Sequence, residues 1–181
     1  MKKLKTYNQL HEYNIKDTIN YRLVNGAYNG DIDEVKRMID AGGDINYKMD
    51  GNTTALIWAT NNDNIDIVQL LIDNGADVNI SDIKKNTPLI IASYFGYINT
   101  LKLLLNNGAD VNMVDSNDKS PVILASYFNY FNIVVVLLEH DVDWEQRDNK
   151  GKTFLDYLTP SNLEVLKGLY PKKFTYRKFN L

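Results

Sequence analysis

The sequence predicts an all-α solenoid in which helix–turn–helix units stack side by side. The main observation is a step of 33 residues at which glycine, aspartate, hydroxyl and alanine positions recur. A fixed period of this size is the signature of repeat arrays, in which one unit buries its apolar face only by stacking on its neighbours. The positions in register are Gly42, Gly75, Gly108 and Asp141; Asp44, Asp77, Asp110 and Asp143; Thr54, Thr87, Ser120 and Thr153; and Ala59, Ala92 and Ala125.

The start of the first helix in each unit is marked by a hydroxyl residue followed by proline. Thr87 and Ser120 are good N-cap residues, and Pro88 and Pro121 then fall at the first helical position, where the missing N–H costs nothing. The helix that follows is rich in alanine and serine, which are small enough for the next unit to approach closely. The pattern therefore predicts a short, tightly packed first helix.

The second helix of each unit is predicted by apolar residues at helical spacing. In the third unit these residues are Ile98, Leu101, Leu104 and Leu105. Gly75 and Gly108 follow such stripes, so each is expected to be the left-handed residue that ends the helix. Asp141 stands at the same position of the fourth unit and is expected to adopt this conformation at a cost of about 1 kcal/mol.

The residues in register resemble the ankyrin repeat, whose pattern is Thr-Pro-Leu-His-x-Ala followed by a Gly-Ala-Asp-Val-Asn close. The third unit carries Thr87-Pro88-Leu89 and Ala92, and it closes with Gly108-Ala109-Asp110-Val111-Asn112. The resemblance covers about residues 20–170 and implies helix pairs joined by short turns that resemble β-hairpins. The histidine of the pattern is replaced, so the hydrogen-bond link that it makes in the family is expected to be absent. The replacing residues are Ile57, Ile90, Ile123 and Asp156.

The resemblance divides the chain into three parts. Residues 1–18 are expected to be a leader or a capping helix, with Leu4, Leu10 and Ile15 as candidates to dock on the first unit. Residues 19–170 are the predicted ankyrin repeat domain, and residues 171–181 form a tail in which basic and aromatic residues alternate. Within the domain the expected units are a degenerate first unit 19–47, full units 48–80, 81–113 and 114–146, and a C-terminal cap 147–170.

The composition is that of an ordinary water-soluble globular protein, with 44% apolar and 24% charged residues among 181. The net charge of −3 is too small to indicate a polyanionic or membrane-surface partner. No cysteine is present, which excludes disulfides and thiol chemistry. No apolar run approaches the roughly 20 residues of a spanning helix, and the basic N-terminus lacks an apolar signal core. We expect a cytoplasmic protein, or one delivered into a host cell without a signal peptide of the usual kind.

The sequence gives no pattern for catalysis, a cofactor or a metal. The two histidines, His11 and His140, are not brought together by the repeat register. Asp141, Asp143 and Glu145 resemble the start of a calcium loop, but Gln146 stands where that loop needs glycine. Phosphate-binding and nucleophile-elbow motifs are absent. We therefore expect no catalytic residue, no metal ligand and no cofactor, and a protein that is not an enzyme.

Candidate binding residues follow from the resemblance, because the partner of an ankyrin stack usually contacts the concave face built by the turn tips and the ends of the first helices. The candidates at the helix ends are Tyr28, Asn61, Asn62, Tyr94, Phe95, Tyr127 and Phe128, and those at the tips are Ile83, Lys84 and Asn117. Tyrosine and phenylalanine supply large contact area at interfaces. The alternatives are that the rings pack between helices, as we expect of Trp58, and that the tips are solvated turns.

The function predicted from these features is a non-enzymatic adaptor or inhibitor that binds another protein through the concave face and acts as a monomer. One alternative is nucleic-acid binding by the tail 171–181, which offers both charge and stacking rings. The competing expectation is that these rings cover the apolar end of the last unit. The other alternative is a self-associating structural array in which the exposed aromatic residues join copies of the chain.

Overall fold

The structure is a computed structural model that describes the backbone of residues 2–177 and the side chains of residues 15–175. Its helices form a stack of pairs, and no β-strand occurs in the described backbone. The helices are α1 (Lys2–Asn29), α2 (Ile32–Asp40), α3 (Ala55–Asn61), α4 (Ile65–Asp73), α5 (Pro88–Phe95), α6 (Ile98–Asn106), α7 (Pro121–Tyr127), α8 (Phe131–Leu138), α9 (Pro160–Leu169) and α10 (Pro171–Arg177). The predicted all-α solenoid is confirmed.

The helices lie in two layers. The first helices α1, α3, α5 and α7 contact one another in sequence and continue into a 3-10 turn at Phe154–Tyr157, while α2, α4, α6 and α8 form the second layer. Ala59, Ala92 and Ala125 are fully buried in the first layer. Their recurrence at the 33-residue step is explained by the close approach that a methyl side chain permits between neighbouring helices.

The first helices begin as the hydroxyl residues predict, with one exception. The Thr54 and Thr87 hydroxyls accept hydrogen bonds from the backbone N–H three residues later, at 3.3 and 3.2 Å. Ser120 precedes Pro121 in the same way, but its buried hydroxyl makes no hydrogen bond, so the helix α7 gains nothing from it as a side-chain cap. At Thr153 the carboxylate of Asp156 accepts bonds from the Thr153 N–H and hydroxyl. Asp156, at the histidine position of the pattern, thus caps its own turn.

The ends of the second helices confirm the glycine prediction and correct the one for Asp141. Gly75 and Gly108 have φ of 88° and 84°, and Ala76 and Ala109 donate backbone hydrogen bonds back into the helix, as in a Schellman motif. Asp141 is not in the left-handed region. Because a side chain at such a residue costs about 1 kcal/mol, the chain leaves α8 one residue earlier in the repeat register and turns through residues with negative φ.

Asparagine side chains join each unit to the next. The amide oxygens of Asn46, Asn79 and Asn112 accept backbone N–H bonds at 2.8–2.9 Å from the aspartate 31 residues later. Their amide nitrogens donate to a backbone carbonyl 29 residues later. Each asparagine therefore satisfies two backbone groups of the neighbouring unit, which explains why the Asp-Val-Asn close recurs.

The N-terminal residues continue directly into the stack, because α1 runs unbroken from Lys2 to Asn29. Leu23, Val24 and Ala27 near its C-terminal end are buried and hold it on α2 and α3. Ile15 is 47% exposed, so its predicted docking is wrong: it lies more than a turn from the buried stripe. The predicted docking residues Leu4 and Leu10, and His11, lie outside the residues whose side chains are described.

The C-terminal end is closed by aromatic residues around Trp144. This buried indole packs edge-on against Phe154, Tyr170 and Phe174, with ring centroids 5.2–6.1 Å apart. Phe174 belongs to α10, the described part of the tail. This contact favours the expectation that tail rings cover the last unit; Tyr176 and Phe179 lie outside the described side chains.

Candidate protein-binding surface

Three turns, which we call the tip loops, lie at one edge of the stack and comprise residues 82–86, 115–119 and 148–152. In each, the first residue is an aspartate whose carboxylate accepts backbone N–H bonds from the residues two and four positions later, at 2.8–3.0 Å. The fourth residue of each tip loop, Lys85, Asp118 or Gly151, has a φ of 58–73°. The aspartates at 82, 115 and 148 thus stabilise a tight turn in which one residue is left-handed.

Backbone hydrogen bonds tie neighbouring tips together. Ile83 donates to the carbonyl of Gly51 at 2.9 Å, and Ser116 donates to the carbonyl of Lys84 at 3.0 Å. Asn149 donates to the carbonyl of Asn117 at 3.1 Å. The backbones of the predicted tip residues Lys84 and Asn117 therefore hold the row of tips together, while their side chains are exposed.

The last tip loop is also linked to a tyrosine. The Tyr157 hydroxyl donates a 2.6 Å hydrogen bond to the Asp148 carboxylate. Burial raises the pKa of Asp148, but the hydrogen bonds from Tyr157 and from the loop N–H groups outweigh it, so the net pKa is lowered. Burial and the bond to Asp148 raise the pKa of Tyr157 to about 12. The pair therefore consists of a carboxylate and a protonated phenol at neutral pH.

A groove with a volume of about 380 Å³ opens between the tip loops and the first helices α3, α5 and α7. Its apolar part is formed by Trp58, Ile90, Ile91 and Leu124, of which the indole is half-buried. Five of the predicted binding residues line it together: Asn61, Lys84, Tyr94, Phe95 and Asn117. The groove is thus the place where the predicted helix ends and the predicted tips meet.

From this groove a chain of ring contacts, which we call the aromatic row, crosses three units. Its members are Tyr97, Phe95, Tyr94, Phe128, Tyr127 and Tyr157. Neighbouring centroids in this order are 5.4, 4.9, 4.7, 5.0 and 5.3 Å apart. Tyr94 and Tyr127 are nevertheless 46% and 47% exposed, and only Phe128 between them is half-buried. The rings pack on one another and at the same time present about half of each tyrosine to solvent.

The remaining predicted residues lie apart from the groove. Tyr28 packs edge-on against Trp58 at 4.8 Å, and these two residues line a smaller cleft near α1. Asn62 donates its side-chain amide to the carbonyl of Tyr28 at 2.7 Å, which is a link between units. Ile83 is 70% exposed at its tip. Tyr127 and Phe128 do not line the groove but extend it along the aromatic row.

Sequence reasoning missed several residues of this surface. The aspartates that organise the tip loops recur at the 33-residue step, so the signal was present in the sequence. Lys119 lies over the Tyr127 ring at 4.2 Å from its centroid, and Lys152 lies over Tyr157 at 5.1 Å. Tyr157 lies in the 3-10 turn of the cap and is in register with Trp58, Ile91 and Leu124, which line the groove, so the 33-residue step could have marked its position.

Among the described residues, no group of three or more histidine, aspartate and glutamate side chains lies close enough to hold a metal ion. The carboxylate of Asp143 accepts the N–H of Glu145 at 2.9 Å, as Asp77 and Asp110 do with the residue two positions later. No helix in the described part of the chain has the length and apolar character needed to cross a membrane.

Comparison with known proteins agrees with this architecture. A family model described as ankyrin repeats (3 copies) matches residues 23–115, and a second, described as ankyrin repeats (many copies), matches residues 96–138. No curated protein matches the chain. Ankyrin repeats are generally protein–protein interaction modules and are typically non-enzymatic. Since the first model spans more than half of the chain, this protein belongs to the ankyrin repeat family.

Proposed function

We propose that the protein is a non-enzymatic adaptor or inhibitor that binds a partner protein through the groove and the aromatic row. The observation that carries the proposal is the continuous row of partly exposed rings, two of which, Tyr94 and Phe95, line a groove of about 380 Å³. Contiguous exposed apolar surface rimmed by polar groups is characteristic of interaction sites. We further propose that the protein acts as a monomer in the cytoplasm.

The absence of charged residues from the first helices supports this role. The helices α3, α5 and α7 contain no charged residue along their entire length. A partner that covers them therefore removes aromatic and amide groups from water, and no helix charge loses its hydration. Depletion of charge and enrichment of tyrosine and phenylalanine are the composition of an interface core.

The rigidity of the stack adds to the expected affinity. Each exposed tyrosine of the row is held by a neighbouring ring: Tyr94 by Phe128 at 4.7 Å, and Tyr127 by Tyr157 at 5.3 Å. Side chains that are ordered before binding lose little conformational entropy on association. The row therefore presents a preorganised surface.

The test is an affinity capture from a lysate of the cells that express the protein, with wild type compared with Tyr94→Ala/Tyr127→Ala. We expect at least one protein to be retained by the wild type and lost with the double variant. The matched control is Tyr21→Ala, which removes a tyrosine that is similarly exposed but does not line the groove. Circular dichroism establishes that all three chains are folded. The proposal is wrong if the same proteins are retained by the wild type and by the double variant.

A further inference from the structure

We propose that the groove is a pocket for a tyrosine side chain of the partner, and that the phenol of this tyrosine donates a hydrogen bond to Asp115. This assignment, which rests on the proposed function, specifies the side chain that the groove receives. It comes from a comparison of the groove with the next junction of the stack, one step of 33 residues later. At that later junction the chain itself supplies the ring that the groove lacks.

The template for the bound ring is Tyr157 of the C-terminal cap. Its hydroxyl donates to the Asp148 carboxylate at 2.6 Å. Its ring packs edge-on against Tyr127, with the two centroids 5.3 Å apart. A tyrosine at this junction is therefore held by one carboxylate oxygen and one neighbouring ring.

One junction earlier, the same two partners are present and the ring is missing. Asp115, Tyr94 and Leu124 stand one step before the three residues of the template, and all three line the groove. Leu124 occupies the register position of Tyr157 but carries neither a ring nor a hydroxyl. The groove is therefore the place where a ring equivalent to Tyr157 would lie.

The carboxylate of Asp115 has one oxygen left to accept a close hydrogen bond. Its Oδ1 accepts the backbone N–H groups of Asn117 and Lys119 at 2.8 and 2.9 Å. Among the described residues, Oδ2 has only the side-chain amide of Asn117, at 3.5 Å, which is beyond the usual range of about 2.7–3.2 Å for an N–H···O bond. Asp115 is only 8% exposed. A buried acceptor without a close donor costs free energy, so a ligand that donates to Oδ2 gains it.

In the other two tip loops a close donor occupies this second oxygen. The phenol of Tyr157 donates to Oδ2 of the last tip aspartate at 2.6 Å, and the Asn86 amide donates to Oδ2 of the first at 3.0 Å. The middle loop has Lys119 in register with Asn86, and its ammonium group lies over a tyrosine ring, 4.2 Å from the centroid. Of the three tip loops, the one whose aspartate keeps its second oxygen available is therefore the loop of Asp115.

The rest of the groove suits a ring. Trp58, Ile91 and Leu124 form apolar walls, and the volume of about 380 Å³ lies near the lower end of the range of about 300–1,000 Å³ for small-ligand sites. A phenol is neutral, so its binding does not depend on the balance between the two aspartates and the one lysine of the lining. Tyr94 and Phe95 belong to both the groove and the aromatic row, so a partner that covers the row can place its tyrosine in the groove.

The test is an NMR titration of the isotopically labelled full chain with N-acetyl-L-tyrosinamide, followed through the backbone amide shifts. We expect the largest shifts at the groove, above all in residues 115–119. N-acetyl-L-phenylalaninamide should bind about tenfold more weakly, because it lacks the donor. In Asp115→Asn, which keeps one oxygen for the loop N–H groups, the preference for the tyrosine amide should fall to about twofold or less. A merely structural role of Asp115 would weaken both amides and leave their ratio unchanged.

Two further variants control the experiment. Asp110→Asn removes the same charge from a carboxylate that also accepts a backbone N–H, that of Asn112 at 2.8 Å, but does not line the groove. It should keep the preference for the tyrosine amide. Leu124→Tyr places a ring at the register position of Tyr157, so it should fill the groove and abolish binding of the tyrosine amide. Circular dichroism establishes that each variant is folded.

The inference and the proposed function can fail separately. Equal affinity for the two amides, a preference that survives in Asp115→Asn, or unchanged binding to Leu124→Tyr would overturn the inference. The proposed function then stands if the captured partner is still lost with Tyr94→Ala/Tyr127→Ala. N-acetyl-O-phosphotyrosinamide lacks the phenolic proton; tighter binding than the tyrosine amide would mean that Lys84 recognises the ligand, which also overturns the inference. Tyrosine binding by a chain whose captured proteins do not depend on Tyr94 and Tyr127 would overturn the proposed function, and with it the assignment of the tyrosine to a partner protein.

Discussion

At the residue scale, the hydrogen bond from Tyr157 to Asp148 fixes the last tip loop to the 3-10 turn of the cap. Replacing Tyr157 by Phe removes the 2.6 Å bond and leaves a buried carboxylate oxygen without this donor. We expect the free energy of unfolding at pH 7 to fall by about 1–2 kcal/mol. Urea unfolding measures this loss, and Tyr21→Phe, at an exposed tyrosine, is the control with no expected change.

The same pair gives stability a defined pH dependence. Because the pKa of Asp148 is lowered in the folded state, its contribution is present above the unfolded pKa of about 3.9 and is lost as the pH falls through the folded pKa. The difference in stability between wild type and Tyr157→Phe should therefore shrink from pH 7 towards pH 3. A difference that stays constant over this range would show that the hydroxyl does not act through the Asp148 carboxylate.

At the element scale, burial of the apolar stripe of the second helix stabilises the stack. Leu104 in α6 is fully buried and belongs to the core that runs through neighbouring units. Leu104→Ala removes buried methyl groups and opens a cavity, so we expect a loss of about 2–5 kcal/mol in the free energy of unfolding. Lys102→Ala, at an exposed position of the same helix, is expected to stay within about 0.5 kcal/mol of wild type. An unchanged melting temperature for Leu104→Ala would mean that the repeat register is wrong.

Also at this scale, the sequence repeat explains why the helix ends could be predicted and the contacts between aromatic rings could not. Helix starts and ends were predictable because each depends on one local rule that recurs, such as Gly108 in the left-handed region. The prediction for Asp141 was wrong because it extended the glycine rule to aspartate, whose side chain disfavours the left-handed conformation. The ring contacts of the aromatic row could not be predicted from the repeat, because they depend on side-chain conformation and not on a local backbone rule. Tyr94 reaches Phe128 in the next unit through side-chain rotamers that the repeat pattern does not specify.

At the scale of the whole molecule, each unit of the stack contacts only its neighbours, so damage at one end should remain local. Trp144 reports on the C-terminal end, because Phe154, Tyr170 and Phe174 enclose it. With Trp58→Phe as background, Trp144 becomes the sole tryptophan of the two in the chain. Deletion of residues 171–181 removes the Phe174 ring, and we expect the Trp144 emission to shift to longer wavelength and acrylamide to quench it more strongly.

Hydrogen exchange on the same truncated chain tests whether the damage is local. The amides of α8 and α9 should lose protection, while those of α4 and α6 keep it, because the main helix contact of α10 is with α9. Phe174→Ala is the point variant that removes the ring without shortening the chain, and it should reproduce the Trp144 shift. An unchanged emission in both variants would show that α10 does not cap the stack. The nucleic-acid hypothesis would then regain its main support, since the rings and lysines of the tail would be available to a ligand.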